Sequence, residues 1–153
     1  MIDEAEATEP EPEIITEERF EHPLGRRAAD LFHRLHEHSD SEQWLPENPQ
    51  AEYPVLEVIN STMWVGPKLA GALTGGRWPP ELQNCASTIV RLKRAHGYID
   101  DALNAAESGQ EDSLIAPIHL GPAVVDLTDI AQEIRRLIAE LRERLDREDT
   151  ADS

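Results

Sequence analysis

Two histidine-centred patterns have residue types and spacings suited to chemistry. The first is Arg91-Leu-Lys-Arg-Ala-His96, in which an arginine precedes a histidine by five residues. A histidine can shuttle a proton near neutral pH, and an arginine can stabilise charge that develops as a bond breaks. The second is Asp30, His33 and Glu37, three and four residues apart, with His36 and His38 close by. On a helix that spacing sets the three side chains on one face, where two or more could ligate a metal ion. Each pattern also has a structural explanation. His96 falls on an apolar seam and could be a partly buried, hydrogen-bonded histidine. The Asp30 group could be a solvated face of mixed charge.

The Arg-x4-His spacing resembles the motif of the HEPN superfamily, helical bundles that include ribonucleases. The resemblance covers six residues. It implies that Arg91 and His96, in a dimer, would assist attack of a ribose 2′-hydroxyl on the adjacent phosphate. The family tends to place a polar residue after the arginine and to open its last long helix with the motif. Here Leu92 follows, in the third expected helix. Phosphotransfer through His96 would need the ring on a solvent face, whereas the seam places it inward. For a ferritin-like metal site, the chain lacks any Glu-x-x-His motif. Cys85 sits on an apolar seam without a neighbouring base, as a packing residue does. Gly71, Gly75 and Gly76 lack the lysine of a phosphate-binding loop. We expect no cofactor.

A third group suggests recognition rather than reaction. Trp64, Lys68 and Gly71 share the least apolar side of the second expected helix, and Trp78 follows in the next loop. Tryptophan is enriched where proteins meet. Gly71 and Gly75 would let another backbone approach closely. In the alternative arrangement Trp64 is covered by the chain's own loop, or by Phe20 and the acidic arm.

These residues must be positioned by helices. Pro23 suits a first helical position. Leu24, Ala28, Leu31, Phe32 and Leu35 then share one face of a helix ending by Ser39. A loop with Trp44, Pro46 and Pro49 follows. The second helix is predicted from about Tyr53 to Thr74, apolar over much of its circumference and kinked at Gly66-Pro67. A third is predicted from Pro79-Pro80 to Ser108, with the seam Leu82, Cys85, Ile89, Leu92, His96, Ile99, Leu103 and Ala106. The fourth, predicted from near Pro122, carries Val124, Leu127, Ala131, Ile134, Ile138, Leu141 and Leu145, widened by Ile130 and Leu137. The expected fold is all-α: an antiparallel four-helix up-down bundle over residues 22–148, with an acidic disordered arm at 1–21 and an acidic tail at 149–153.

Charge bounds the function further. The net formal charge of the 153-residue chain is −17. Residues 1–18 hold eight acids and no base, and residues 146–153 hold four acids against Arg147, so the middle carries only about −6. Such a balance disfavours nucleic acid and anionic membrane, which need cationic surface. It favours partners with basic patches. The arm could serve solubility alone, or could lie over Arg91, Lys93 and Arg94 or over Arg26 and Arg27. No stretch approaches the roughly 20 apolar residues of a spanning helix. A lone cysteine asks for no oxidising compartment, and we expect a cytoplasmic protein. The function these features favour is a non-enzymatic interaction or scaffold module whose partner is a protein, a second copy of the chain included. The alternatives are the HEPN-like ribonuclease and, third, a metal-binding bundle.

Overall fold

The computed structural model describes residues 22–49, 53–73, 78–111 and 117–152; the expected acidic arm at 1–21 lies outside them. The described residues form four α-helices and no strand: α1 (Pro23–Ser41), α2 (Pro54–Leu73), α3 (Cys85–Glu111) and α4 (Pro117–Asp152). None is long and apolar enough to cross a membrane.

The start of α1 follows its sequence closely. Pro23 occupies the first turn, where a missing N–H is no loss, and the His22 Nδ1 accepts a hydrogen bond from the Leu24 N–H at 3.2 Å. Its buried face is Leu24, Ala28, Leu31 and Leu35, as the spacing requires.

The helix does not stop at Ser39 but continues to Ser41 and closes with a Schellman-type cap. The Trp44 N–H donates to the Ser39 carbonyl at 3.0 Å, and Gln43 between them is left-handed, with φ 53°. The Trp44 ring then stacks on His38, which seals the cap with the loop's own aromatic. Glycine usually occupies the left-handed position because a Cβ there meets the following carbonyl. Gln43→Gly is therefore expected to stabilise the protein by about 0.5–1 kcal/mol. Thermal denaturation checks this, and a lower midpoint would mean that the glutamine side chain holds the loop.

Several other boundaries differ from expectation, among them the end of α3, which runs past Ser108 to Glu111. Glu81 is extended, and a 3₁₀ turn at Leu82–Asn84 precedes α3, so Pro79-Pro80 do not begin the helix. Arg144 of α4 donates to the Pro80 carbonyl and to the Cys85 Sγ, anchoring this entry segment. The fourth helix begins at Pro117 rather than Pro122, which is an exposed residue inside it. At its other end α4 continues to Asp152, so residues 149–152 extend the helix and do not form a separate tail.

One core joins all four helices. Val55, Val58, Val65 and Leu69 of α2, Leu92 and Ile99 of α3, and Leu127, Ile130, Ile134, Leu137 and Leu141 of α4 are almost fully buried. Ion pairs fasten α1 to α4 on the outside: Arg34 with Asp126 at 2.6 Å, and Arg27 with Asp126 and Asp129 at 3.7 and 3.4 Å. Gly66 brings α2 against Ala29 of α1, where an added Cβ would lie 3.7 Å from the Ala29 backbone nitrogen.

Candidate functional site

The α3 helix divides the sequence-derived residues between its two flanks. Arg91 points to α2, where its Nη1 donates to the Gly71 carbonyl at 3.2 Å. His96 points to α4, where Arg135 Nη1 lies 2.8 Å from its Nε2. A guanidinium can only donate, so Nε2 accepts and the ring proton is on Nδ1. That nitrogen faces the Asp100 carboxylate at 3.3 Å. The imidazole is thus oriented by Asp100 and its remaining lone pair is occupied by Arg135. A general base needs that lone pair free. The side chain is 20% exposed, at the edge of the seam rather than within it.

The two members of the Arg-x4-His pattern therefore engage different helices. Five residues on a helix turn the side-chain direction by about 140°, so adjacency was never implied by the spacing.

Asp30, His33 and Glu37 are exposed on α1. Among the described residues no group of three or more His, Cys, Asp or Glu side chains could hold a metal ion. His36 instead approaches Asp40 at 3.6 Å, one turn along the same helix. Between α1 and α4 lies a recess of about 140 Å³ lined by Leu31, Leu35, Ala123 and the Arg34–Asp126 pair. Small-molecule sites typically enclose about 300–1,000 Å³.

Trp64 gives a different picture. It is 45% exposed on the α3-facing side of α2, stacked on Tyr98 with ring centroids 6.3 Å apart and planes at 26°. Lys68 Nζ sits 5.8 Å from the Trp64 ring centroid, within cation–π range. Gly71 continues the line, and an added Cβ there would meet nothing within 4 Å. Tryptophan, tyrosine and lysine thus form a pre-arranged, open ledge. In the alternative arrangement the Ser39–Glu52 loop would cover Trp64, but Trp44 of that loop turns inward and is 8% exposed; cover by Phe20 and the acidic arm lies outside the described residues. Trp78 is also set apart: it is half-buried against the core and meets His22 edge-on at 5.7 Å.

Sequence spacing missed Tyr98 and the charge around the ledge. Residues 58–99 contain one acid, Glu81, against Lys68, Arg77, Arg91, Lys93 and Arg94, a surplus of +4 in a chain of −17. Counting charge over the whole α2–α3 hairpin hides it, because Glu57, Asp100, Asp101, Glu107 and Glu111 flank that stretch and bring residues 54–111 to −1. On α4, by contrast, Arg136 bonds Glu133 and, at 3.1 Å, Glu140. Among the described residues no carboxylate pairs with Lys68, Arg91, Lys93 or Arg94.

At the N-terminus of α1, burial pushes the His22 pKa below its ordinary 6.5, outweighing the nearby Glu133 carboxylate. Folding therefore favours the neutral ring, the form that accepts from Leu24. The linked stability is complete above about pH 6.5 and declines as pH falls from there towards the depressed folded value. Glu133, held below its usual range chiefly by its bond to Arg136, loses its contribution only in a lower window, below its ordinary 4.5. His22→Asn, which caps without titrating, is expected to flatten the stability profile between roughly pH 7 and 5. Urea titrations at several pH values check this; an unchanged slope would assign it to other groups.

No family model matches the chain, and neither does any curated protein or solved structure in the comparisons.

Proposed function

We propose that this protein is a non-enzymatic interaction or scaffold module that engages a protein partner through the α2–α3 ledge of Trp64, Tyr98 and Lys68, beside Gly71. The observation that carries the reading is that Trp64 is 45% exposed yet held by two neighbours. A large ring ordered before binding loses little conformational freedom on contact, which favours its use as an anchor. The first partner to test is a second copy of the chain. In this reading the protein is cytoplasmic, and residues 22–148 act as one bundle domain.

An up-down antiparallel arrangement fits the inter-helix pairs. Trp64 with Tyr98 and Gly71 with Arg91 run in opposite order along α2 and α3. The same holds for His96 with Arg135 and Cys85 with Arg144, and for Arg27 with Asp129 and Arg34 with Asp126. A kink in α2 would follow from Pro67, which cannot donate to the carbonyl four residues earlier. The ribonuclease alternative has less behind it, since Arg91 and His96 turn to different helices.

Light scattering of the full chain over a wide concentration range tests the reading. A dimer is expected, weakened about 30-fold or more by Trp64→Ala, the effect of removing an interface anchor worth ~2 kcal/mol. A dimer indifferent to Trp64 would overturn the choice of face. A monomer throughout would sink self-association.

A further inference from the structure

We propose that the α2–α3 ledge is a docking surface for an acidic segment, and that its resident occupant is the chain's own residues 1–18. This rests on reading the ledge as a binding face and adds what regulates it.

Three observations converge on that occupant. Lys68 lies over the Trp64 ring, Arg91 reaches Gly71, and Arg94 is one helical turn before Tyr98; none of the three is matched by a carboxylate among the described residues. Residues 1–18 supply the complementary charge in concentrated form: Asp3, Glu4, Glu6, Glu9, Glu11, Glu13, Glu17 and Glu18, without a base. They also carry Ile14 and Ile15, apolar side chains of the kind that the Trp64–Tyr98 surface would cover.

The attachment point is favourable too. His22, four residues after the segment, meets Trp78 edge-on, and Trp78 follows by five residues the end of α2 near which Gly71 receives Arg91. From Gly71 back to Trp64 is about 10 Å of helix. Eighteen residues can span up to roughly 60 Å. Tethering raises the local concentration of the acidic segment far above that of a free competitor. Arg26 and Arg27 are a poorer destination, since Arg27 already meets Asp126 and Asp129.

The attraction is between exposed charges, so it weakens with ionic strength as the Debye length falls from about 8 Å at physiological salt. A partner would then have to displace the segment, and neutralising the segment would strengthen self-association.

The test uses the full chain with Thr8→Cys bearing a nitroxide; Cys85, fully buried, stays unlabelled in the folded protein. Paramagnetic broadening of amide and indole resonances is read at physiological and at high salt. We expect broadening concentrated at Trp64, Lys68, Arg94 and Tyr98, several-fold above that at Arg34 and Asp126. It should be lost at high salt and in the Lys68→Glu/Arg94→Glu double variant. Even broadening, or broadening centred on Arg26 and Arg27, overturns the proposal. So does broadening seen only when labelled chains are mixed with isotope-enriched unlabelled ones, which would assign the segment to a second copy. The label reports position and not mass, so this proposal and the binding face can fail separately.

Discussion

Replacing Leu92 by alanine is expected to lower the free energy of unfolding by about 3 kcal/mol, within the 2–5 kcal/mol range for buried leucine truncations. Leu92 is fully buried about two turns into α3, in the core shared with α2 and α4. Removing three carbon atoms there forfeits their transfer from water and leaves a cavity that helices on either side cannot easily fill. For a domain stabilised by a total of about 5–15 kcal/mol, that is a large share. The contrast lies two residues away. Val90 is 48% exposed, and Val90→Ala should change stability by no more than about 0.5 kcal/mol. Urea denaturation of both variants measures the difference. Equal losses would show that α3 is rotated from the orientation described.

Trp44→Ala is expected to be as severe, about 3 kcal/mol or more, although Trp44 lies in a loop. Its ring is 8% exposed, joins the core cluster and stacks on His38, while its N–H completes the α1 cap at Ser39. Alanine keeps the backbone bond but loses the ring that holds the capping turn down. The loss should therefore come with faster amide exchange around residues 39–49 than elsewhere. A loss under about 1 kcal/mol would mean that Pro46 and Pro49 order the loop unaided.

The helical class was legible because apolar residues recur at three and four positions throughout α1, α3 and α4, and Pro23 marks the start of α1. Boundaries were less so. Pro117 and Pro122 are equally acceptable helix starters in sequence, and only packing chooses between them. The third helix, predicted to end at Ser108, instead continues through a buried Gly109 to Glu111. The cap after α1 was invisible because its left-handed residue is Gln43 rather than a glycine. At the candidate site, Trp64, Lys68 and Gly71 were visible as one helix face. Tyr98 was not, since it belongs to another helix and its role depends on how the two lie together. For the same reason Arg91 and His96, close in sequence, were separated by helix phase.

The lining of α3 has a consequence for how the sequence can change over time. Ala95, Ala102, Ala105 and Ala106 are all buried, in a helix whose neighbour α2 buries Ser61, Thr62 and Ala72. Small side chains let helix axes approach closely, and they leave no slack for a larger one. A single enlargement at any of these alanines would overpack the seam, and a compensating reduction alone on α2 would open a void. Either step is harmful by itself and tolerable in company. Substitutions along this seam should therefore be epistatic, arriving as matched pairs, while exposed positions away from both seam and ledge, such as Val90 and Val125, are free to vary one residue at a time.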